Sequence, residues 1–332
     1  MSRASLVFAA LLAVLFPLSL LAGRVWIAPT DFGPGNTLLI LAELRLPRAV
    51  LAVTVGAGLG AAGAAMQGYL RNPLADPGLF GIAPMAALGA VASFWLGAAV
   101  PSVWAGWSLP LMALAGAGLG MALLALIAGR TAHDAAGGAG GGIALFTLAG
   151  LMLASLAGAL TALAITLAPN PFALSEIVMW LNGALTDRSW REVAIAAPLT
   201  LAGIGVLALA ARSLDALTLG EEAARSLGME PGRVLALLVA GVGLTVGAGV
   251  AVAGIIGFVG LVVPHLVRPL TDRLPSSLIG PSALAGACLV LAADSTVRVL
   301  PFVTELRLGI ALSLIGAPFF LWLLLRMRRG RL

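Results

Sequence analysis

The fold class that the sequence predicts is all-α and polytopic, a chain of membrane-spanning helices, and three observations carry that reading. Of 332 residues, 61% are hydrophobic and only 10% charged, against roughly 25% charged in an ordinary soluble domain. The mean hydropathy is +1.08. The charge-free runs are long enough for bilayer-crossing helices, each of which needs about 20 apolar residues. So little charge cannot dress a water-exposed surface.

Charged residues cut residues 1–332, read as a single transmembrane domain, into ten predicted spans. Ala4 to Gly23 is the first. Ser2-Arg3 and the small pair Ala22-Gly23 would also suit a cleaved signal peptide, but the apolar run is longer than such leaders carry, which favours a retained helix. Ala49 to Leu70 is the second, and Pro77 to Gly129 holds two with a turn near Pro101 to Pro110, where Trp104 and Trp107 suit a membrane interface. Ala135 to Ser175 contains a glycine-rich loop, Gly137 to Gly142, and then the fifth. Val193 to Ala211 is the sixth. Val234 to Val267 is too long for one ordinary helix and short for two, so it reads as a seventh span and a shorter, glycine-broken eighth. Leu274 to Ala293 and Leu308 to Leu325 complete the set.

An even number of spans puts both termini on one side of the membrane. Twelve of the nineteen arginines fall on that side and seven on the other, which by the positive-inside rule makes the termini cytoplasmic. The outward seven therefore need a reason. Scattered in ones and twos, the arginines read as membrane flanks and not as a nucleic-acid surface.

Every basic residue is Arg and there is no Lys. A Walker A loop needs its Lys on the nucleotide phosphates and Schiff-base chemistry needs an amine, so neither resides on this chain. If ATP drives the protein, another polypeptide hydrolyses it. One cysteine, Cys288, cannot form an intrachain disulfide, and with His133 and His265 it cannot build a His/Cys zinc cluster.

Four segments stand out. Met66 to Gly81, with Pro73, Pro77 and Asn72, reads locally as a tight turn that ends one helix and starts the next. The segment at about 215–232 reads as a short cytoplasmic helix, with Glu221 and Glu222 in its first turn, Arg225 near its end and Gly228 placed for a left-handed stop. Being short and not basic, it suits a protein partner better than the lipid surface. Gly254, Gly257 and Gly260 permit close helix approach, and the nearby His265 reads more readily as locally hydrogen-bonded than as a metal or haem ligand. Gly150, Ala154, Gly158 and Ala162 form a small-residue stripe that is either ordinary packing or the wall of a tunnel or dimer seam.

Taken in order, these segments resemble the FecCD family of ABC importer permeases for iron-siderophores, haem and cobalamin. The matching pieces are Arg45-Leu46-Pro47-Arg48, Gln67 through Gly81, Leu219 to Gly228, Gly257 to Leu261 with Pro264-His265 and Arg268, then Ala293-Asp294, Arg298, Glu305 and Gly316 to Phe320. The resemblance implies a type II ABC importer permease fold in the bacterial inner membrane, with ten helices per subunit. It also implies a second copy of the chain, two ATP-binding cassette subunits beneath, and a periplasmic substrate-binding protein above. It assigns Leu219, Gly220, Glu221, Glu222, Ala224, Arg225, Leu227 and Gly228 to ATPase coupling, and Arg45, Arg48 and Arg298 to docking of the binding protein. It sets Gly150, Ala154, Gly158 and Ala162 on the translocation path and Gly141 and Gly142 at a cytoplasmic gate. Where the family commonly reads Glu-Leu-Pro-x-Gly, this chain has Glu305-Leu306-Arg307-Leu308-Gly309, which removes a proline and adds a charge.

No nucleophile-base pair or metal cluster points to an enzyme, and no cofactor is expected. Secondary transporters bury ionisable residues in mid-span, whereas Asp294 and Glu305 fall near predicted span ends. The expectation is a passive importer permease with haem as the favoured cargo and siderophore or cobalamin as alternatives; an ion-coupled secondary transporter is the rival from another class.

Overall fold

The computed structural model describes residues 2–28, 36–96, 105–134 and 141–328, and it is helical with no strand among them. The first helix, α1 (Arg3–Leu21), is capped by the Ser2 hydroxyl, which accepts from the Ser5 N–H. A π-helical stretch, Ile40–Arg45, leads directly into α2 (Leu46–Tyr69). A 3₁₀ turn, Pro77–Phe80, capped by Asp76, precedes α3 (Ile82–Leu96). Then come α4 (Ala105–Asp134), α5 (Gly141–Thr166), α6 (Pro171–Leu181) and α7 (Trp190–Leu217). The chain ends with α8 (Glu221–Ser226), α9 (Pro231–Ala253), α10 (Val259–Val267), α11 (Pro275–Val299) and α12 (Leu308–Arg328).

Eight helical stretches of the described residues are long and apolar enough to cross a membrane. The shorter α3 and α10 bring the array to ten. Gly254 packs against the Trp180 carbonyl and Gly183 at one end of the array, while Arg268 hydrogen-bonds Gln67 at the other, so the α10 segment runs through despite its length. By contrast α6, which the charge spacing does not single out, is a local excursion of 11 residues. Its only sequence signal is Asn170-Pro171, whose Asn side chain caps the helix and whose Pro occupies the first turn.

Several boundaries differ from the sequence reading: α7 runs on to Leu217, and α11 to Val299, so that Arg298 lies inside α11 and not after it. α4 begins at Ala105 inside the expected turn, and Pro110, its sixth residue, gives up the bond that an N–H there would make one turn back. α7 starts at Trp190 because Ser189 and Glu192 form a reciprocal capping box. Trp104 and most of the loop Gly137 to Gly142 lie outside the described residues; Gly141 and Gly142 open α5.

The centre of the helix array is held by close backbone approach. A Cβ at Gly56 would lie 2.3 Å from the Gly286 carbonyl oxygen, at Gly60 2.1 Å from that of Ser282, and at Gly63 1.9 Å from that of Gly260. These contacts seat α2 against α11 and α10 with nothing but glycine between the backbones. α7 and α9 complete the packing around α2, while α3, α4 and α5 form a second group joined to it chiefly through α9.

Candidate functional site: arginine clusters at both ends of the helix array

Arg48 and Arg71 stand at opposite ends of α2, roughly 35 Å apart at 1.5 Å per residue. Each end carries an arginine-lined cleft. The Arg48-end cleft, about 280 Å³, is lined by Arg24, Arg45, Arg48, Arg188, Arg298 and Glu305 among others. The three arginines expected to dock a partner thus come together. Each is also engaged within the chain.

The Arg48 Nε donates to Asp294 Oδ1 at 3.0 Å and Oδ2 at 3.1 Å, its Nη2 donates to Oδ1 at 2.8 Å, and both terminal nitrogens reach the Glu305 carboxylate. Arg298 Nε lies 3.1 Å from Asp294 Oδ2, and its Nη2 donates to the Ser19 carbonyl at 3.1 Å. Arg45 Nη1 donates to the Leu20 and Leu21 carbonyls, both at 2.8 Å, and Nη2 to that of Val25 at 2.7 Å. Arg45 and Arg298 therefore satisfy the free carbonyls at the C-terminus of α1, where a cation also complements the helix dipole. Asp294, fully buried, bridges two guanidinium groups. A carboxylate can be held there because its lone pairs are all taken up by charged donors.

Glu305 lies in the segment before α12. Burial opposes its ionisation, but the Arg48 guanidinium, aided by the Thr186 hydroxyl at 3.3 Å, holds its carboxyl below the usual range. Arg188 differs from its neighbours: its buried Nε has no hydrogen-bond partner. Burial pulls its guanidinium below the ordinary value, with Glu192 and Asp187 acting against that fall and Arg307 and Arg191 adding to it.

At the other end, Gln67 ties three segments together. Its amide donates to the Leu261 carbonyl at 3.1 Å, and its Oε1 accepts from Arg268 Nη2 at 3.0 Å. The Met66 to Gly81 turn is thereby fastened to α10. A cleft of about 210 Å³ lies beside it, lined by Gln67, Arg71, Thr218, Arg268 and Arg273.

Next to this cleft stands α8. Gly220 (φ 101°) starts it and Gly228 (φ 85°) ends it. The Gly228 N–H donates to the Arg225 carbonyl at 2.9 Å and the Met229 N–H to the Ala224 carbonyl at 3.0 Å, the paired bonds of a Schellman stop. Ala224 is fully buried and faces the core, whereas Leu219 (66%) and Leu227 (68%) are exposed. The apolar residues of this segment thus divide, one anchoring the helix and two facing outward. Arg71 Nη2 lies 3.8 Å from Glu221 Oε1, linking α8 to the end of α2.

The stripe on α5 also divides. Gly150 packs on Phe80, where a Cβ would lie 2.8 Å from its Cα, and Ala154 is half-buried beside Gly81. Gly158 and Ala162 are exposed, and nothing lies within 4 Å of a Cβ built at Gly158. Large apolar side chains beside them, Met152 and Leu156 on α5, are exposed as well, as are Leu314 and Ile315 on α12. His265 stacks edge-on to Phe319 at 6.4 Å, and no three His, Cys, Asp or Glu side chains converge among the described residues.

The profile of the FecCD transport family matches residues 11–326. The chain belongs to that family. This FecCD protein is 39% identical over 298 residues to a cobalamin import system permease of Halobacterium salinarum, covering 90% of this chain and 76% of the relative. It is 37% identical over 289 residues to a hemin transport system permease of Yersinia pestis, covering 87% and 84%. A solved ABC transporter of the metal-chelate type, in an inward-facing conformation, superposes with a TM-score of 0.85 at 28% identity, covering 97% of this chain and 98% of that one. The FecCD chain is accordingly a multi-pass membrane permease of an ABC importer, a transport component and not a catalytic enzyme.

Proposed function

We propose that this permease is one half of a homodimeric, ATP-driven importer in the inner membrane that takes haem from a periplasmic binding protein. In this reading both termini and α8 face the cytoplasm and the Arg48 end faces the periplasm. Two ATPase subunits seat on α8, and the open upper half of α5, with α12, lines the path or meets the second copy.

The observation that carries the reading is the build of α8. A helix fixed at both ends by left-handed glycines, anchored by Ala224 and presenting Leu219 and Leu227, is a rigid knob and not a loose loop. Because Arg71 and Gln67 tie this corner to α2 and α10, a push on α8 reaches the two helices packed most closely at the centre. Few charges lie on the exposed faces of α5 and α12, so bulky cargo meets weak contacts, as passage requires. Cargo selection then rests with the binding protein.

Leu227→Asp in the full importer tests the coupling. It is expected to abolish co-purification of the ATPase subunits while leaving the permease folded, and retention of the ATPase would refute the reading. Haem as cargo draws support from the Yersinia pestis relative; cobalamin is the second reading, favoured by the Halobacterium salinarum relative. ATPase stimulation of the reconstituted importer by binding protein loaded with haem, cobalamin or a ferric siderophore separates them. Greater stimulation by a cargo other than haem would overturn the first choice.

A further inference from the structure

The cleft beside Gln67, about 210 Å³, lies between the ends of four helices. Gly68 and Arg71 bring the end of α2 to it, Thr218 the end of α7, Arg268 the end of α10 and Pro275 the start of α11. Three of the lining side chains are arginines, and among the described residues no acidic side chain lines it. Three cations from three segments therefore share one small space.

The chain supplies little to neutralise them. Arg268 gives one nitrogen to Gln67, which is itself 2% exposed, while its buried Nε has no hydrogen-bond partner. Arg273 acts on Arg268 as a like charge. Glu221 stands 3.8 Å from Arg71, a long ion pair. The nearby Asp215 and Asp272 serve the first turn of α11: Asp215 accepts from the Ser276 N–H at 2.9 Å, and Asp272 from the Leu274 N–H at 3.0 Å and from the Ser277 hydroxyl. Arg71 (φ 49°) and Arg273 (φ 68°) both hold left-handed backbone, a conformation that costs a non-glycine residue energy and recurs where a chain clamps a ligand. The missing group is an oxyanion. A planar carboxylate engages one guanidinium fork, whereas a tetrahedral phosphate presents oxygens in several directions and takes donors from three segments at once.

The surroundings choose the molecule that bears this phosphate. Leu266, Leu270 and Leu274 alternate with Arg268 and Arg273 along one stretch, and they are 53%, 55% and 40% exposed. Apolar side chains beside a basic pocket between helix ends match an acyl chain joined to an anionic headgroup. A soluble phosphate has no use for them. We propose that this cleft holds the phosphodiester of an anionic phospholipid, with Arg71, Arg268 and Arg273 as its donors. The lipid then ties together the ends of α2, α7, α10 and α11 beside α8. Its assignment to the cytoplasmic leaflet rests on the orientation in the reading above; the site itself does not.

The test uses the complete importer in detergent, stripped of native lipid, and reads binding by native mass spectrometry during titration with phosphatidylglycerol, phosphatidylcholine or glycerol 3-phosphate. The wild type is expected to take phosphatidylglycerol about tenfold or more tighter than phosphatidylcholine. Arg273→Gln, at an exposed position that leaves the Gln67 contact in place, should weaken phosphatidylglycerol about fivefold, and Arg268→Gln combined with it about 25-fold. Arg3→Gln, an exposed arginine on the same side in the proposed orientation, should change nothing. Equal affinity for the two lipids, or an unchanged Arg273→Gln, overturns the inference. An equal loss in Arg3→Gln makes the attraction a diffuse surface charge and also overturns it. Displacement of phosphatidylglycerol by glycerol 3-phosphate at equal concentration gives the cleft to soluble phosphate and overturns the choice of a lipid. Retention of the ATPase by Leu227→Asp would sink the coupling reading and leave these affinities as they are, so the two failures are told apart.

Discussion

Asp294 has no solvent access, yet it is compatible with a membrane helix because Arg48 and Arg298 grip it from two sides. Removing one member of a buried pair costs far more than the pair contributes, since the survivor keeps its desolvation penalty. Asp294→Asn should therefore destabilise the protein by about 3–5 kcal/mol, read as a lower unfolding temperature in detergent. An unchanged transition would mean that the network is not structural. Glu305 sets a pH dependence. Its carboxyl is held below the usual range in the folded protein, so its contribution is complete above the unfolded value of about 4.3 and is lost as pH falls through the folded value. The stability gap between wild type and Glu305→Gln should be constant from neutral pH to about 5 and close at lower pH. A gap that widened on acidification would contradict the assignment. At this scale the arginines were legible from their position outside the spans. Their partners were not, because Arg48 and Asp294 lie 246 positions apart.

Helix packing depends on where each glycine falls. Gly63 meets the Gly260 carbonyl, and a Cβ there has no flexible side chain to displace. Gly63→Ala is expected to cost about 1–3 kcal/mol by overpacking, whereas Gly158→Ala, with open space around it, should be neutral or slightly stabilising through helix propensity. Thermal melts of the two variants check this, and equal effects would refute the packing account. The run Gly254, Gly257, Gly260 shows what periodicity can and cannot reveal. Its spacing suggested one close helix approach, but only Gly260 meets α2 in that way. Gly254 is needed for its positive φ (72°) beside the Trp180 carbonyl, and no atom lies within 4 Å of a Cβ at Gly257. The break of the eighth span and the left-handed stop at Gly228 were readable, since both are local backbone events. The division of the α5 stripe was not, because it depends on Phe80 from a distant turn.

Over the described residues, apolar faces are left uncovered on α1, α4, α5, α6, α7 and α12, and the sequence does not distinguish lipid from a second copy. If α5 and α12 flank a two-fold seam, cysteines at Gly158 and Ile315 should form disulfide-linked dimers with oxidant in membranes, in a Cys288→Ser background. A cysteine at Val7 on α1 should stay monomeric. Dimers from the α1 site alone would reverse the assignment.

Composition and charge spacing by themselves determined an all-helical membrane protein, the approximate number and order of its spans, and the short stopped helix at Glu221–Ser226. These follow from local rules: apolar length, backbone freedom at glycine, and proline. Tertiary structure alone decided which arginines are already spent and which helices touch. It also decided that Arg268 is left with a buried donor to give. Such facts depend on side chains meeting from opposite ends of the chain, and hydrogen-bond saturation is a property of that meeting and not of any segment.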